Sequence, residues 1–564
     1  MNSRSSTRMI LRPLAAAAVA LALLLGIATA AQAAPPSPDS GTRGTAVTVT
    51  LTPPHSWTQL AVNASTGVGL TPDGRAWSWG TDFDLQLGDG SGVSRSTPGP
   101  VTMPAGVSAF TQISVGTYHV LALGDDGKAY TWGRNNYGQL GNSTNTDSST
   151  PVAVTMPTGV KFTQISTGSY HSLALGDNGR AYAWGEGANG QIGNGSTADR
   201  NRPVAVTLPD GVSSFTAVSA GGEHSLAIGV DGNTYAWGYN EYGQLGNNTV
   251  TNSTSPVAVT MPAGVKFTQI SAGGEHSLAI GDNNKTYGWG RNNRGQVGDN
   301  SGTMRRTPVA VSLATGVPAF TQVSAGFAHS LAIGDNGRAY AWGWNTAGAV
   351  GDNTLTSRDR PVAATLPSGV TSFSHVSAGL NVSLAIGNDS KAYAWGKNYS
   401  GELGDGTNTD RRVPTAVAQP AVVVTRVTFG GVNGTSLTKL SDSTWRVNAP
   451  PRPNGPDDVV VSWTLGGVVQ TPITYTNGFT YVGPKVEITT QAYRNSARTV
   501  EIPRGGVVAP GATIYWRYTV KNTGPVPVSI TQIKRNNQVL ALSICATQEL
   551  AAGATTTCNA ESTV

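Results

Sequence analysis

Five of the seven histidines in this sequence stand at one repeated position, which makes a repeated imidazole the first candidate for chemistry. In successive units the position is filled by His119, His171, His224, His276 and His329. Imidazole rings bind zinc and act as general bases. Equivalent positions of successive units are separated by the width of a unit, which is too far for the ligands of one ion. We therefore expect a structural imidazole in each unit.

Other combinations of reactive residue types are also present but lack the required arrangement. His224-Ser225 are neighbours on a predicted strand, so their side chains point to opposite faces and cannot form a nucleophile–base pair. The turns at 125–127 and 335–337 are rich in Asp and Asn, but they lack the alternating acidic ligands and the final Glu of an EF-hand loop. We interpret them as hairpin turns. The sequence also lacks a phosphate-binding loop, a nucleophile elbow and a carboxylate pair that can be placed face to face. We expect no catalytic residue, no metal site, no cofactor and no enzymatic activity.

The elements that position these residues repeat along the chain. Trp-Gly returns seven times, 52 or 53 residues apart, at 79–80, 132–133, 184–185, 237–238, 289–290, 342–343 and 395–396. Each unit contains a Pro-led stretch, an alternating stretch, the histidine stretch, a Gly or Asn turn and the stretch that ends in Trp-Gly, as in 151–155, 162–166, 171–175, 177–179 and 181–185. This pattern predicts four short strands per unit. Seven such units are typical of radially packed blades. The predicted fold class is all-β, with a seven-bladed β-propeller over residues 46–418.

The Pro-led stretch occurs eight times if Ala46–Leu51 and Pro414–Ala418 are both counted. We expect one of these terminal strands to complete the first blade and close the ring, and the pattern favours neither of them.

The repeat resembles that of the regulator-of-chromosome-condensation family. The residues that carry the resemblance are Gly-Gly-Glu-His-Ser at 221–225 and 273–277, the seven Trp-Gly pairs, and Gly-Gln-Leu-Gly at 138–141 and 243–246. The resemblance covers about two-thirds of the chain and implies the same seven-bladed propeller.

Two further modules are predicted after the propeller. Residues 419–484 resemble an IPT/TIG domain, an immunoglobulin-like sandwich, in Phe-Gly-Gly at 429–431 and Ala-Pro-Pro at 449–451, although the usual opening strand of that family is hard to find. Residues 485–564 resemble an immunoglobulin-like module of bacterial surface proteins. Such modules usually continue with another strand, so truncation at Val564 is an open alternative to a complete module. The only two cysteines, Cys545 and Cys558, are expected to form a disulfide.

The first 33 residues have the pattern of a signal peptide. Arg4, Arg8 and Arg12 precede an apolar run over 14–27, and Ala-Gln-Ala at 31–33 offers the small residues of a cleavage site. Residues 34–45 then form a predicted linker. Without the three arginines the formal charge falls from +5 to +2. A net charge this small does not indicate a nucleic-acid-binding surface. We expect export from a bacterium, with no membrane span in the mature chain.

Two positions vary sharply between units, and variable positions of a repeat protein are free to bind a partner. One directly follows Trp-Gly and the other directly precedes the histidine position. Aromatic residues and arginines at such positions are the types that anchor interfaces. Ordinary sequence variation in loops would also explain the differences between units. The predicted partner-binding residues are Tyr118, Arg134, Tyr170, Tyr239, Arg291 and Trp344.

These observations favour a monomeric, non-enzymatic binding or adhesion protein. It would be secreted or displayed at the cell surface, and a propeller face would recognise an unknown extracellular protein or polysaccharide. One alternative is inhibition of an extracellular enzyme, since secreted bacterial propellers related to this family include a β-lactamase inhibitor. Another is nucleotide exchange on a small GTPase, which is the activity of the family's eukaryotic namesake. The even spacing, however, leaves no room for the insertion that the namesake places in its GTPase.

Overall fold

The propeller predicted from the repeat is confirmed. A computed structural model of the chain describes residues 32–563, apart from 53–55, 314–315, 318, 442, 471, 483–484, 526, 531–532, 536–537, 541–544 and 548. These residues form two compact units, one within 54–419 and one that combines 31–53 with 420–564. Within its described residues, the first unit contains seven four-stranded antiparallel sheets, which we call blades 1 to 7.

The four strands of each blade follow one another in the sequence. In blades 1 to 4 they are Gln59–Asn63, Thr66–Leu70, Ala76–Gly80 and Arg95–Pro100; Phe110–Val115, His119–Gly124, Ala129–Gly133 and Ser148–Ala153; Phe162–Thr167, His171–Gly176, Ala181–Gly185 and Arg200–Ala205; and Phe215–Ala220, His224–Gly229, Thr234–Gly238 and Ser253–Ala258. In blades 5 to 7 they are Phe267–Ala272, His276–Gly281, Thr286–Gly290 and Arg305–Ala310; Phe320–Ala325, His329–Gly334, Ala339–Gly343 and Arg358–Ala363; and Phe373–Ala378, Val382–Gly387, Ala392–Gly396 and Arg411–Ala416.

The Pro-led strand ends a blade, whereas the sequence pattern placed it at the start of a unit. Ser148–Ala153, which contains Pro151, pairs with the Trp-Gly strand Ala129–Gly133 before it. Proline lacks the N–H that a central strand must donate, so it is tolerated on this outermost strand. The seven Pro-led strands that follow the seven Trp-Gly strands complete all blades. The expectation that a terminal strand completes blade 1 is therefore wrong.

The innermost strands line a central channel of about 350 Å³. The polar side chains of these strands that face the channel form hydrogen bonds with the backbone of the next blade. Gln164 accepts a hydrogen bond from the Val218 N–H (3.0 Å) and donates one to the Val218 carbonyl (3.1 Å). Two residues further on, Ser166 accepts from the Ala220 N–H at 2.9 Å. The polar lining of the channel thus connects the blades.

Aromatic side chains fill the space between neighbouring blades. The seven Trp-Gly tryptophans are fully buried. Phe162 stacks on Trp184 with ring centroids 5.9 Å apart, and both pack against Leu121 and Leu123 of the preceding blade. The glycine after each tryptophan has positive φ, and a Cβ at Gly185 would lie 2.3 Å from the Tyr170 carbonyl oxygen. This close approach explains why glycine follows tryptophan in every unit.

Residues before the propeller contribute to the second unit, which corrects two predicted boundaries. Ala46–Thr52 pairs antiparallel with Thr444–Asn448 and with Gln32–Ser37. Its Val47, Val49 and Leu51 are fully buried. The propeller therefore does not begin at residue 46, and part of the predicted linker over 34–45 is strand. A strand that pairs with Thr444–Asn448 therefore precedes the propeller in the sequence.

The second unit consists of β-sheets. Ala46–Thr52 lies in one four-stranded sheet, a six-stranded sheet contains Val422–Phe429, Gly455–Leu465 and Ile473–Tyr481, and Thr513–Asn522 is the centre of a three-stranded sheet. The remaining strands of the unit are Ser40–Gly41, Val432–Asn433, Thr435–Ser441, Val468–Val469, Val486–Tyr493, Val528–Ser529, Ile533–Arg535, Gln538–Leu540, Glu549–Leu550 and Thr555–Thr563. The expected disulfide joins Cys545 to Cys558, with an S–S distance of 2.07 Å.

The predicted signal peptide lies outside the described residues except for its last two, which begin the strand Gln32–Ser37. In the part of the chain that the structure describes, no helix has the length and apolar character needed to cross a membrane.

Candidate functional site

The repeated histidines join neighbouring blades. Each ring is fully buried, and its Nε2 lies 2.7–3.0 Å from a serine Oγ of the next blade. The pairs are His119–Ser172, His171–Ser225, His224–Ser277, His276–Ser330 and His329–Ser383. The serine directly after the histidine position in blades 3 to 7 therefore bonds to the histidine of the preceding blade.

The same serine and the Trp-Gly tryptophan share one carbonyl, and this arrangement assigns the histidine tautomer. Ser225 Oγ donates to the Gln191 carbonyl at 3.1 Å, and Trp237 Nε1 donates to the same oxygen at 2.9 Å. Because the serine proton is used in this way, Ser225 must accept from the Nε2–H of His171. We call this group of His, Ser, Trp and the shared backbone carbonyl the interblade clasp; the carbonyl belongs to glutamine in four clasps and to Ala349 in the fifth. It unites the three sequence motifs in one structural element.

The histidines of the clasps are neutral. Burial lowers the pKa of His224 to about 3, with a smaller effect from His171 and His276, and burial lowers the pKa of His171 to about 4. The Nδ1 atom of each of these rings has no hydrogen-bond partner among the described residues. Within the same residues, no three His, Cys, Asp or Glu side chains are grouped so that they could hold a metal ion.

The two variable positions meet at one end of every blade. In all seven blades the N–H of the residue after Trp-Gly donates to the carbonyl of the residue before the histidine position, at 2.9 Å. The pairs, which together we call the variable face, are Ser65 and Thr81, Tyr118 and Arg134, Tyr170 and Glu186, Glu223 and Tyr239, Glu275 and Arg291, Ala328 and Trp344, and Asn381 and Lys397. Thr117 and Ser169, one residue before Tyr118 and Tyr170, line the channel.

Three of the predicted partner-binding residues lie in one cluster. The rings of Tyr118 and Tyr170 stack with centroids 4.4 Å apart, and the guanidinium of Arg134 lies 5.4 Å and 5.9 Å from these two rings. Arg134 also pairs with Asp84 of blade 1 at 3.6 Å, and Tyr137 packs edge-on against Tyr170. Burial and the hydrogen bond with Tyr118 raise the pKa of Tyr170, so the Tyr170 hydroxyl stays protonated at neutral pH. The cluster combines flat aromatic area with a cation.

Two other predicted residues lie in a second cluster on blades 4 and 5. The guanidinium of Arg291 lies 4.6 Å from the ring of Tyr242 and pairs with the carboxylate of Glu275. Tyr239 packs edge-on against Tyr242 with centroids 6.2 Å apart, and its hydroxyl donates to Glu241. These contacts hold the aromatic rings and both charges in fixed positions.

The sixth predicted residue, Trp344, lies apart from these clusters and pairs with Arg294, whose guanidinium is 5.4 Å from the indole ring. The indole Nε1 is buried and has no hydrogen-bond partner among the residues that the structure describes. The six residues therefore form three groups on one face.

Carboxylates occupy the variable face between the two clusters. Burial, together with the carboxylates of Glu223 and Asp199, raises the pKa of Glu186 to about 7. Burial and Glu275 also raise the pKa of Glu223, which accepts a hydrogen bond from Asn189 at 2.8 Å. This part of the face offers acceptors and negative charge.

Sequence reasoning missed a third variable position, five residues after each tryptophan. It holds Asp84, Tyr137, Asn189, Tyr242, Arg294, Ala347 and Ser400. Five of these side chains contact the variable face of the next blade, as Tyr137 contacts Tyr170 and Arg294 contacts Trp344. Their variation between units was a visible signal, but their proximity depends on how blades pack.

Comparison with known families agrees with this architecture. The sequence profile described as the RCC1-like domain matches residues 112–435, and that of the regulator of chromosome condensation (RCC1) repeat matches residues 73–123. The ultraviolet-B receptor UVR8 of Arabidopsis thaliana is 29% identical over 394 residues, which is 70% of this chain and 88% of that protein. The human E3 ubiquitin-protein ligase HERC2 is 32% identical over 265 residues, which is 47% of this chain but only 5% of HERC2.

Solved structures show the same fold. Human WBSCR16 superposes with a TM-score of 0.55 at 23% identity, over 67% of this chain and 99% of that one. Yeast RCC1 (Prp20), solved bound to Kap60, superposes with a TM-score of 0.54 at 23% identity, over 70% of this chain and 90% of that one. At this level of identity the likeness concerns the fold alone.

Proposed function

This chain belongs to the RCC1-like domain family, and from that membership we propose that it is an exported, non-enzymatic recognition protein that binds a protein partner through its variable face. The propeller is a binding scaffold in this family. The proposal adds the surface, the class of partner and the location.

The proposal rests on the contrast between the positions that repeat in the blades, which stabilise the propeller, and the positions that vary, which lie on one face. The residues that repeat in the blades, namely the His, Ser, Trp and Gln of the interblade clasps, form hydrogen bonds within the propeller. These groups are therefore not available to bind a partner. The residues that vary lie together on one face and include three tyrosines, two arginines and one tryptophan in contact with neighbours. Half-buried aromatic and arginine side chains are the types that dominate binding energy in protein interfaces. Their existing contacts reduce the entropy lost when a partner binds.

The charges of the face favour a protein partner. Arg134 on blade 2 and Arg291 on blade 5 flank the carboxylates of Glu186, Glu223 and Glu275. A partner that matches this surface must present both signs of charge at matching positions, and such patterning supports specificity and orientation. A polysaccharide of one repeated charge would match only part of the face.

Export is supported by the sequence of residues 1–33 and by the disulfide between Cys545 and Cys558. Disulfides persist in oxidising compartments and are rare in the cytosol. In this proposal the sheets after residue 420, with their resemblance to immunoglobulin-like modules, separate the propeller from the surface of the bacterium.

The test compares binding by face variants of the full mature chain. We expect Tyr239→Ala together with Trp344→Ala to weaken capture of a purified extracellular protein partner by about tenfold or more, since truncated interface anchors cost upwards of about 1–2 kcal/mol each. The matched control replaces Lys128 and Arg338, which follow hairpin turns at the opposite ends of blades 2 and 6. Equal binding by both variants would refute the role of the face.

The assay also separates the alternatives. If the chain captures a polysaccharide and no protein, the proposed protein partner is wrong and the ligand is a polysaccharide. Loss of activity of an extracellular enzyme on addition of the chain would make the protein an inhibitor, and accelerated nucleotide release from a small GTPase would make it an exchange factor.

A further inference from the structure

An arginine at the start of the fourth strand is paired with an aspartate in four blades. The aspartate lies six residues earlier, and the closest N···O distances are 2.5 Å for Arg95–Asp89, 2.5 Å for Arg305–Asp299, 2.6 Å for Arg358–Asp352 and 2.7 Å for Arg411–Asp405. In blades 2 and 4 both residues are replaced, by Asn142 with Ser148 and by Asn247 with Ser253. In these six blades the arginine and its acid are thus present or absent together.

Blade 3 keeps the arginine but not the acid. Arg200 stands at the arginine position, and Asn194 replaces the aspartate. The Nε atom of Arg200 is buried and has no hydrogen-bond partner among the described residues. In blades 5, 6 and 7 the same atom donates to the aspartate carboxylate at 2.5–2.8 Å. The internal repeat therefore identifies what Arg200 lacks, which is a carboxylate oxygen.

Asn194 cannot supply that oxygen. Its Oδ1 accepts the N–H of Ser196 at 3.2 Å, as Asp352 Oδ1 accepts the N–H of Thr354 at 3.1 Å. The second oxygen of Asp352 accepts from Arg358, and in Asn194 the equivalent atom is Nδ2, a donor. A donor and a guanidinium therefore share a place that holds a carboxylate in other blades.

A cavity of about 460 Å³ adjoins this place, between blades 2 and 3. Its lining includes Arg200, Arg202, Asn145, Asn201 and Tyr137, as well as Asp199. One oxygen of Asp199 already accepts the N–H of Gly187 at 2.9 Å. Two arginines against one aspartate leave an excess of positive charge, and the asparagines add amide donors. The cavity is open to solvent and suits a small anionic group.

We propose that this cavity binds a carboxylate group of a ligand, held by the guanidinium of Arg200 in the place that an aspartate carboxylate fills in blades 5, 6 and 7. The planar guanidinium matches a carboxylate through parallel N–H donors. The carboxylate comes either from a uronate of an acidic sugar or from an acidic side chain of a peptide. This site is independent of the variable face, although Tyr137 lines the cavity and also contacts Tyr170.

Blade 6 offers a matched reference site. A cavity of about 470 Å³ between blades 5 and 6 is lined by Arg358, Arg360, Asp359, Asn293 and Arg294, among others. It resembles the first cavity in position and composition, but Arg358 is already paired with Asp352. An added carboxylate should find the guanidinium of Arg358 already occupied there.

The test follows the arginine Nε–H signals of the full chain by NMR during titration with sodium acetate, at constant ionic strength set with chloride. Arg200→Ser identifies the Arg200 signal and copies the Asn–Ser pair of blades 2 and 4. Asn194→Asp restores the pair of blades 5, 6 and 7. Both variants should fold because each combination already exists in the chain.

We expect a saturable shift of the Arg200 signal with acetate, no such shift of Arg358, and an affinity about tenfold or more weaker in Asn194→Asp. The proposal is overturned if Arg200 does not respond, if Arg358 responds equally, or if Asn194→Asp binds acetate as well as the unaltered chain does. Glucuronate and a terminally blocked aspartate then replace acetate, and the tighter of the two assigns the carboxylate to a sugar or to a peptide.

Discussion

At the scale of single residues, the clasp histidines give the protein a defined response to acid. Burial lowers the pKa of His119, His224 and His276 to about 3 and that of His171 and His329 to about 4. In the unfolded chain an exposed histidine has a pKa of about 6.5. Between these values the unfolded state binds more protons, so the free energy of unfolding must fall as the pH is lowered.

We predict that each clasp histidine contributes a loss of about 1.4 kcal/mol per pH unit as the pH falls below about 6.5. This stability is fully present above pH 6.5 and is lost towards the folded-state pKa. Urea unfolding at a series of pH values measures the slope. The double variant His224→Thr, Ser277→Val copies Thr66 and Val120 of the interface between blades 1 and 2. It should reduce the slope by about one histidine's share, and an unchanged slope would show that His224 titrates normally in the folded state.

At the scale of elements, the strand Ala46–Thr52 tests whether residues before the propeller stabilise the sheet that follows it. We predict that Val49→Asp unfolds the sheet formed with Thr444–Asn448, because it places a charge at a fully buried position. Hydrogen exchange of residues 444–448 measures the effect, and the propeller should stay folded. The control is Val423→Asp, since Val423 is 44% exposed on its strand. Retained protection of 444–448 in Val49→Asp would contradict the pairing.

The contrast between this strand and the blades shows what sequence patterns can predict. The blades were predictable because alternation, turn glycines and the Trp-Gly spacing are local and occur seven times. The partner of Ala46–Thr52 lies almost 400 residues away and carries no repeat signal. The Pro-led strand was assigned to the wrong end of a unit for the same reason, since pairing is not visible in the order of segments.

The candidate site, like the fold, was predictable where the signal lies within one repeat and not where it depends on contacts between blades. Variation between units identified Tyr118, Arg134 and Tyr170, whose clustering the structure shows. The contact of Tyr137 with Tyr170 requires knowledge of how one blade approaches the next. The missing acid beside Arg200 became meaningful only when the pairing in other blades was known.

At the scale of the whole propeller, the interface between blades 7 and 1 differs from the others. The chain does not continue from blade 7 into blade 1, and the histidine–serine pair is replaced by Val382 and Gly67, as it is by Thr66 and Val120 between blades 1 and 2. A side chain at Gly67 is excluded, since its Cβ would lie 2.4 Å from the Trp79 ring. The interface keeps the bond from Trp79 Nε1 to the Glu402 carbonyl at 2.9 Å and that from the Val62 N–H to Ser377 Oγ at 3.2 Å.

We predict that the ring opens first at this interface, so that amides of blades 1 and 7 exchange with solvent sooner than those of blades 3 to 5. Hydrogen exchange with mass spectrometry measures the order. Trp79→Phe should accelerate opening more than Trp237→Phe, which removes the equivalent bond to Gln191 between blades 3 and 4. Uniform protection around the ring would argue against a preferred opening point.

The pairing of Ala46–Thr52 with Thr444–Asn448 also sets an order of events during synthesis. The first strand leaves the ribosome almost 400 residues before its partner, which at about 5–20 residues per second is a delay of roughly 20–80 s. All seven blades are translated in that interval. The strand can pair early only with Gln32–Ser37, so the burial of Val47, Val49 and Leu51 is completed only after the propeller has been translated.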